Sequence, residues 1–178
     1  VSVIAQSRAL VISLEVPVAA ARRALALAHE AGVPVVLNPA PAHDVPEELW
    51  AAADVLVPNE SEARALLGAD EEDSLELARA LQVRTGRTVV VTCGGRGAVV
   101  ADADGVRAFP AVAVDAVDTT GAGDVFVGVL TVEYLESGSI DAAVTSACEA
   151  AASSVTRAGV VPGIPRRARR ARETGEPL

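Results

Sequence analysis

The chain is 178 residues long, enough for one domain with a substantial core, and 51% of it is apolar with few aromatics. A formal charge of −9 argues against a nucleic-acid partner, no apolar run reaches bilayer-spanning length, and the start lacks a basic-then-apolar signal pattern, so no membrane is expected. All fifteen basic residues are Arg, which excludes a Walker P-loop, a Schiff-base lysine and a protein-kinase strand lysine.

In chain order, "ALVISL" (Ala9 to Leu14) is a short apolar run ending at Glu15 and reads as a buried strand. Pro17 to Ala31 has helical periodicity, with Pro in the first turn and Gly32 at the stop. "VPVVLN" (Val33 to Asn38) is β-branched and continuous, as in a strand covered on both faces. A loop, "PAPAHDVP", leads to a short helix over Glu47 to Ala53, a strand over Asp54 to Asn59 and a helix over Glu60 to Leu67. Ser74 to Thr85 is helical and Thr88 to Cys93 is a strand. Two short runs about a "DADG" turn then give a hairpin signal.

Helices follow from about Gly121 to Leu135 and from Ile140 to Val155. The tail "AGVVPGIP" reads as a loop before a last helix, whose solvated face accounts for the basic run Arg166 to Arg170. Strands alternating with helices imply a covered parallel sheet with an antiparallel hairpin at one side. Cys93 and Cys148 are too few and too distant for a disulfide framework or a zinc cluster, and read as reduced thiols of a cytoplasmic protein.

The stretch "DTTGAGD" (Asp118 to Asp124) carries the chemistry. Small residues at a helix start leave backbone N–H groups unobstructed at the positive end of the dipole, which makes an anion site. A carboxylate there is repulsive unless it has a chemical task. Asp124 could take a proton from a hydroxyl while the N–H groups hold the phosphoryl group under attack. The plain alternative is a turn with an acid favouring the helix start. A dinucleotide fingerprint fails, because its last glycine position holds Phe126.

From Glu15 to Pro165 the chain resembles the ribokinase branch of the PfkB sugar-kinase family. "LNPAPA" (Leu37 to Ala42), "PNESEA" (Pro58 to Ala63), "VTCGGRG" (Val91 to Gly97), "DTTGAGDVF" (Asp118 to Phe126) and "VTRAGVVPGIP" (Val155 to Pro165) stand in the family's order. The implied fold is α/β, a three-layer αβα sandwich with a mostly parallel sheet. The implied activity is transfer of phosphate from ATP to D-ribose, giving D-ribose 5-phosphate and ADP. Two alternatives stay open: another sugar or nucleoside kinase of the family, and a non-catalytic remnant that binds nucleotide.

Residue by residue, the resemblance implies that Asp124 is the base and that Gly121, Ala122 and Gly123 form the anion hole. Asn59 and Glu62, the ends of an N-x-x-E motif, would orient Mg2+, its waters and the nucleotide phosphates; without the resemblance they read as a helix cap with an exposed Glu. Thr92, Cys93, Gly94, Gly95, Arg96 and Gly97 would line the ATP site, with Cys148 near the adenine or simply a core thiol. Asp118 and the carbonyl of Thr120, facing carbonyls of Ser154, Arg157 and Gly159 with Gly163 nearby, would hold K+. Glu15 would bond sugar hydroxyls, or be an ordinary strand-end acid.

Three positions depart from the family pattern: Val127 and Val129 just after the base, and Gly163, which has no hydroxyl to offer a cation. The family's G-G-K-G-x-N motif, lid sheet and first core strands have no counterpart, residue 1 is Val, and Met is absent. The expectation is a single partial domain over residues 1–178, truncated at its N-terminus and without the lid, from a longer reading frame or one opened at a non-standard start. A homodimer is left open for the full-length protein, since the family's dimer contact lies in the lid.

Overall fold

In the computed structural model, residues 2–42 and 45–166 are described. The β-branched runs pair into one six-stranded sheet whose spatial order repeats the chain order. Its strands are β1 (Leu10–Ser13), β2 (Val35–Asn38), β3 (Val55–Leu56), β4 (Thr88–Thr92), β5 (Ala98–Asp102) and β6 (Gly105–Phe109). β1 to β4 are parallel, while β5 and β6 add as an antiparallel hairpin. Among the described residues β1 has a strand neighbour on one side only, and Val11 on it is 47% exposed.

Alternation along the strands builds two cores. Val35, Leu37, Leu56, Val89 and Val91 face α2 (Val18–Glu30), α3 (Glu47–Trp50), α4 (Glu60–Leu67) and α5 (Ser74–Thr85). Val36, Val55, Val57, Val90 and Val100 face α6 (Ala122–Ser137) and α7 (Ile140–Ser154). The result is the three-layer αβα sandwich expected. Before β1 lies a short α1 (Ser2–Ala5), which the sequence reading did not anticipate.

The helices over Glu60–Leu67 and Ser74–Thr85 begin and end where the sequence places them. β3 is shorter than its apolar run. Asp54 stands at its head, with Oδ2 accepting the N–H of Val35 at 2.8 Å, and Pro58 offers no N–H to continue the ladder. The segment 47–53 closes only one helical turn, buried through Leu49 and Trp50, before turning into β3. The tail read as a loop contains a further turn of helix, α8 (Val160–Gly163). The last helix expected after it falls on residues 167–178, outside the described residues.

The hairpin is pinned to the second helical layer by one arginine. Arg107 Nη1 and Nη2 donate to the two carboxylate oxygens of Asp102 at 2.9 and 2.8 Å, and Nε donates to Asp141 at 2.7 Å. Asp141 lies in the first turn of α7, so this network fixes β6 against that helix.

Candidate functional site

The carboxyl ends of the parallel strands converge at one edge of the sheet, where open α/β folds place their crevices. Here the chain enters α4 beside the turn after β4. The N–H of Thr92 donates to the carbonyl of Pro58 at 2.9 Å, and Asn59 and Thr92 form an isolated parallel bridge.

Asn59 is the N-cap of α4. Its Oδ1 accepts the N–H of Glu62 at 2.9 Å and the hydroxyl of Ser61 at 2.6 Å, while Glu62 Oε2 accepts the N–H of Asn59 at 2.8 Å. N-x-x-E is therefore a reciprocal capping box. Burial raises the Glu62 carboxyl above its ordinary range, against the opposing pull of the Asn59 bonds.

Past β4 the chain makes a tight turn. The N–H of Cys93 donates to the carbonyl of Gly97 at 2.8 Å, and that of Arg96 to the carbonyl of Cys93 at 3.1 Å. Gly97 has φ +102°, and a Cβ there would lie 2.0 Å from the carbonyl oxygen of Phe109, so the turn closes on the end of β6 only with glycine. A cavity of about 570 Å³ opens against this turn. Thr92, Gly94, Gly95 and Gly97 form one side, and Val112 and Val114 of the loop after β6 a second. Ala122, Gly123 and Phe126 of α6, with Cys148 of α7, close a third.

Cys93 and Arg96 turn the other way. With Ser74 they line a separate pocket of about 340 Å³ behind the turn. Burial pushes both the Cys93 and the Cys148 thiol up, so neither is a thiolate at neutral pH.

The loop entering α6 is bound to the end of α7. The N–H groups of Val117 and Asp118 both donate to the carbonyl of Val155, at 2.7 and 3.1 Å. Asp118 Oδ1 accepts the N–H of Thr120 at 3.0 Å and Oδ2 that of Gly159 at 2.9 Å. The backbone and hydroxyl of Thr120, then the Gly159 N–H, hold the Asp118 carboxyl below its ordinary range. The N–H of Gly163 reaches the carbonyl of Gly159 at 3.2 Å, and a Cβ on Gly163 would stand 2.6 Å from the carbonyl oxygen of Ser154. A side chain at 163, hydroxyl or not, has no room. Asp118, Thr120, Ser154, Gly159 and Gly163 thus come together, while Arg157 directs its guanidinium to the carbonyl of Pro162 at 3.4 Å.

α6 starts at Gly121, whose φ of +78° and lack of a side-chain cap leave the helix end open. The N–H of Ala122 bonds the carbonyl of Thr119 at 3.3 Å, and those of Gly123 and Asp124 find no acceptor among the described residues. Ala122 and Gly123 border the 570 Å³ cavity. Gly121 and Asp124 border a different one, an apolar groove of about 490 Å³ between α6 and α8. The helix start stands between the two.

Glu15 is exposed in the turn after β1 and lines none of these three cavities. β1 lies three strand spacings from β4, roughly 14 Å. Val127 packs into the second core rather than towards a cavity, and Val129 lines the groove beside Asp124. The apolar walls of the nucleotide-sized cavity, Val112 and Val114 above all, were not foreseen from the sequence; valines and alanines in an irregular loop carry no signal of a ligand.

Among the described residues no cluster of three or more His, Cys, Asp or Glu is placed to hold a metal, and no helix is long and apolar enough to cross a membrane. Residues 1–167 match the model of the pfkB family carbohydrate kinases. The ribokinase of Haemophilus influenzae is 40% identical over 167 residues, 92% of this chain and 55% of that protein. The deoxyribokinase of Salmonella typhi is 36% identical over 160 residues, 88% and 52% of the two chains. The structure of Arabidopsis thaliana ribokinase complexed with ribose and ATP overlays with a TM-score of 0.85 at 26% identity, covering 92% of this chain and 55% of that one. The chain spans about half the length of the curated relatives it matches. The family model spans nearly the whole chain, and with relatives 36–40% identical over most of it, the chain belongs to the pfkB family of carbohydrate kinases.

Proposed function

We propose that the chain carries the nucleotide site and the general base of an ATP-dependent kinase whose acceptor is D-ribose, producing D-ribose 5-phosphate and ADP. One observation carries this reading: the uncapped start of α6 stands between two cavities, with Gly123 on one and Asp124 on the other. A phosphoryl group leaving a nucleotide on the Gly123 side meets the free N–H groups at the helix dipole. An acceptor hydroxyl on the far side meets the carboxylate.

In this reading Asp124 takes the proton of the attacking hydroxyl at a carboxylate oxygen. The N–H groups of Gly123 and Asp124 hold the equatorial oxygens of the transferring group, where charge stabilisation supplies most of the catalysis. The glycine turn lets the triphosphate approach the backbone, and the valines of the loop after β6 cover the base and exclude water. Glu15, exposed in the turn after β1 and outside both cavities, would bond only a sugar hydroxyl that extends beyond the groove.

The donor atoms fit the two cations of the reading. Glu62 sits half-buried beside Asn59 at the end of the sheet that carries Thr92, a suitable anchor for waters of Mg2+. The Asp118 loops offer one carboxylate and otherwise backbone carbonyls, the hard, weakly charged oxygen set that suits K+. Asp118, Thr120, Ser154, Arg157, Gly159 and Gly163 would hold that ion, which supplies positive charge behind the anion hole. Free thiols at Cys93 and Cys148 suit a cytoplasmic setting.

Deoxyribose is the second reading, favoured by the deoxyribokinase relative. A coupled assay of ADP release with ATP, Mg2+ and K+, run with ribose and 2-deoxyribose on the protein carrying this chain, decides between them. ATP binding without ADP release on either sugar, or on other sugars and nucleosides, would leave only a nucleotide-binding remnant.

A further inference from the structure

Glu60 is the first residue of α4, one place after the N-cap, where an acid would ordinarily serve the helix dipole in solvent. Here its side chain is only 21% exposed and points across to two other elements. Its Oε1 accepts the hydroxyl of Ser74, at the start of α5, and Arg96 Nη2, in the glycine turn, both at 2.5 Å. Burial alone would push this carboxyl up; the Ser74 and Arg96 bonds outweigh it and hold it below its ordinary range. Arg96 has the opposite character. It is 68% exposed, does not line the 570 Å³ cavity, and among the described residues pairs with Glu60.

We propose that Glu60 is a positioning residue for nucleotide binding: by holding Arg96 and Ser74 at one oxygen, it sets the glycine turn against the Asn59–Glu62 cap. The two parts of the site are otherwise joined by little. Thr92 N–H to Pro58 and the Asn59–Thr92 bridge fix where the turn begins, and the bond from Cys93 N–H to Gly97 closes the turn on itself. None of these ties the tip of the turn to α4. Gly94 and Gly95, without side chains, cannot do so either. Arg96 is the residue of the tip that can, and its partner is adjacent in sequence to the cap residue. The lever is short: Glu60 moves with Asn59, and Arg96 moves with Gly95 and Gly97.

This inference rests on the nucleotide-site reading above. The test is ATP binding by calorimetry to the whole chain and to Glu60→Ala, Arg96→Ala, the double variant and Glu60→Gln. Each alanine variant should weaken binding about two- to fivefold, as expected for a partly exposed ion pair acting at one remove. The double variant should be no weaker than the weaker single, and Glu60→Gln, which keeps both hydrogen bonds, should fall between wild type and Glu60→Ala. The thermal midpoint, followed in parallel, should move little because the capping box is intact. Losses that multiply in the double variant would mean that Arg96 touches the nucleotide directly and Glu60 acts elsewhere, overturning the proposal. Unchanged affinity in Glu60→Ala overturns it as well, with the nucleotide-site reading intact. No ATP binding by the unsubstituted chain removes both.

Discussion

The N–H of Gly159 donates to Asp118 Oδ2 at 2.9 Å across 41 residues of sequence, and so ties the loop that opens α6 to the loop that follows α7. The ionised carboxylate accepts this bond more strongly than the acid does. Its value lies below the ordinary range, so the contribution is present above that range and lost as pH falls through the depressed value.

From this tie follows a cation prediction. Thermal unfolding followed in potassium chloride and in tetramethylammonium chloride at equal ionic strength should show a higher midpoint in potassium. Asp118→Ala should abolish the difference and weaken any potassium activation of ADP release by about fivefold or more. Identical midpoints for the unsubstituted chain in the two salts would remove the ion from these loops.

Asp124→Asn keeps the shape of the side chain but cannot take a proton. Turnover should fall by about a hundredfold to ten-thousandfold, with ATP affinity changed little, because the residue borders the groove and not the 570 Å³ cavity proposed for the nucleotide. Retention of a tenth of the activity would exclude this residue as the base.

Gly121→Ala should destabilise the fold by about 1–2 kcal/mol, since the residue sits at φ +78° and a Cβ would lie 2.8 Å from Val160 Cγ1. Gly128→Ala, seven residues on in the same helix and with nothing within 4 Å of the new Cβ, should instead stabilise by about 0.5–1 kcal/mol. Urea unfolding of the two variants gives the signs directly; equal signs would contradict the backbone geometry at the helix start.

Glu62→Gln separates the capping role of the N-x-x-E motif from the Mg2+ role proposed for it. Gln keeps the acceptor that completes the capping box, so the helix should form as before. Because burial raises the Glu62 carboxyl, its contribution to stability is present below the unfolded carboxylate range and lost as pH rises through the folded value. The variant should therefore match or exceed wild type in stability at pH 7, and the gain should shrink at pH 4. Its ATP binding should no longer improve on adding Mg2+. If Mg2+ still tightens binding to the same degree, Glu62 is a cap and nothing more.

Legibility in the sequence followed the strength of local signals. α4 and α5 were placed to the residue because each is bracketed: Asn59 and Asp73 accept N–H groups at the starts, and Gly68 and Gly86 end the helices in the left-handed region. β3 was overread because its apolar run continues through Val57, while the regular ladder lapses at Pro58, which has no N–H, and past it only the isolated Asn59–Thr92 bridge remains among the described residues. The glycine turn was legible as a turn, but not which residues face the cavity; Cys93 and Arg96 point behind it because Glu60 and the first core draw them there. Glu60 carries no distinguishing signal in the sequence, since its partners lie 14 and 36 residues away.

The strand order β1 to β6, running through space as it runs through the chain, bears on how the protein is made. Each new strand emerging from the ribosome finds its neighbour already formed, and the helices of the first layer arrive between the strands they cover, so half of the sandwich can assemble in step with synthesis. The other half cannot. The face bearing Val36, Val55, Val57, Val90 and Val100 waits bare until α6 and α7, the last long helices in the described chain, are complete. Ribosome-stalled chains ending before Ala122 should therefore be the sticky ones, held by chaperones, and release should come only as α7 clears the exit tunnel. The segment that brings the open helix start and Asp124 is also the one that covers this face.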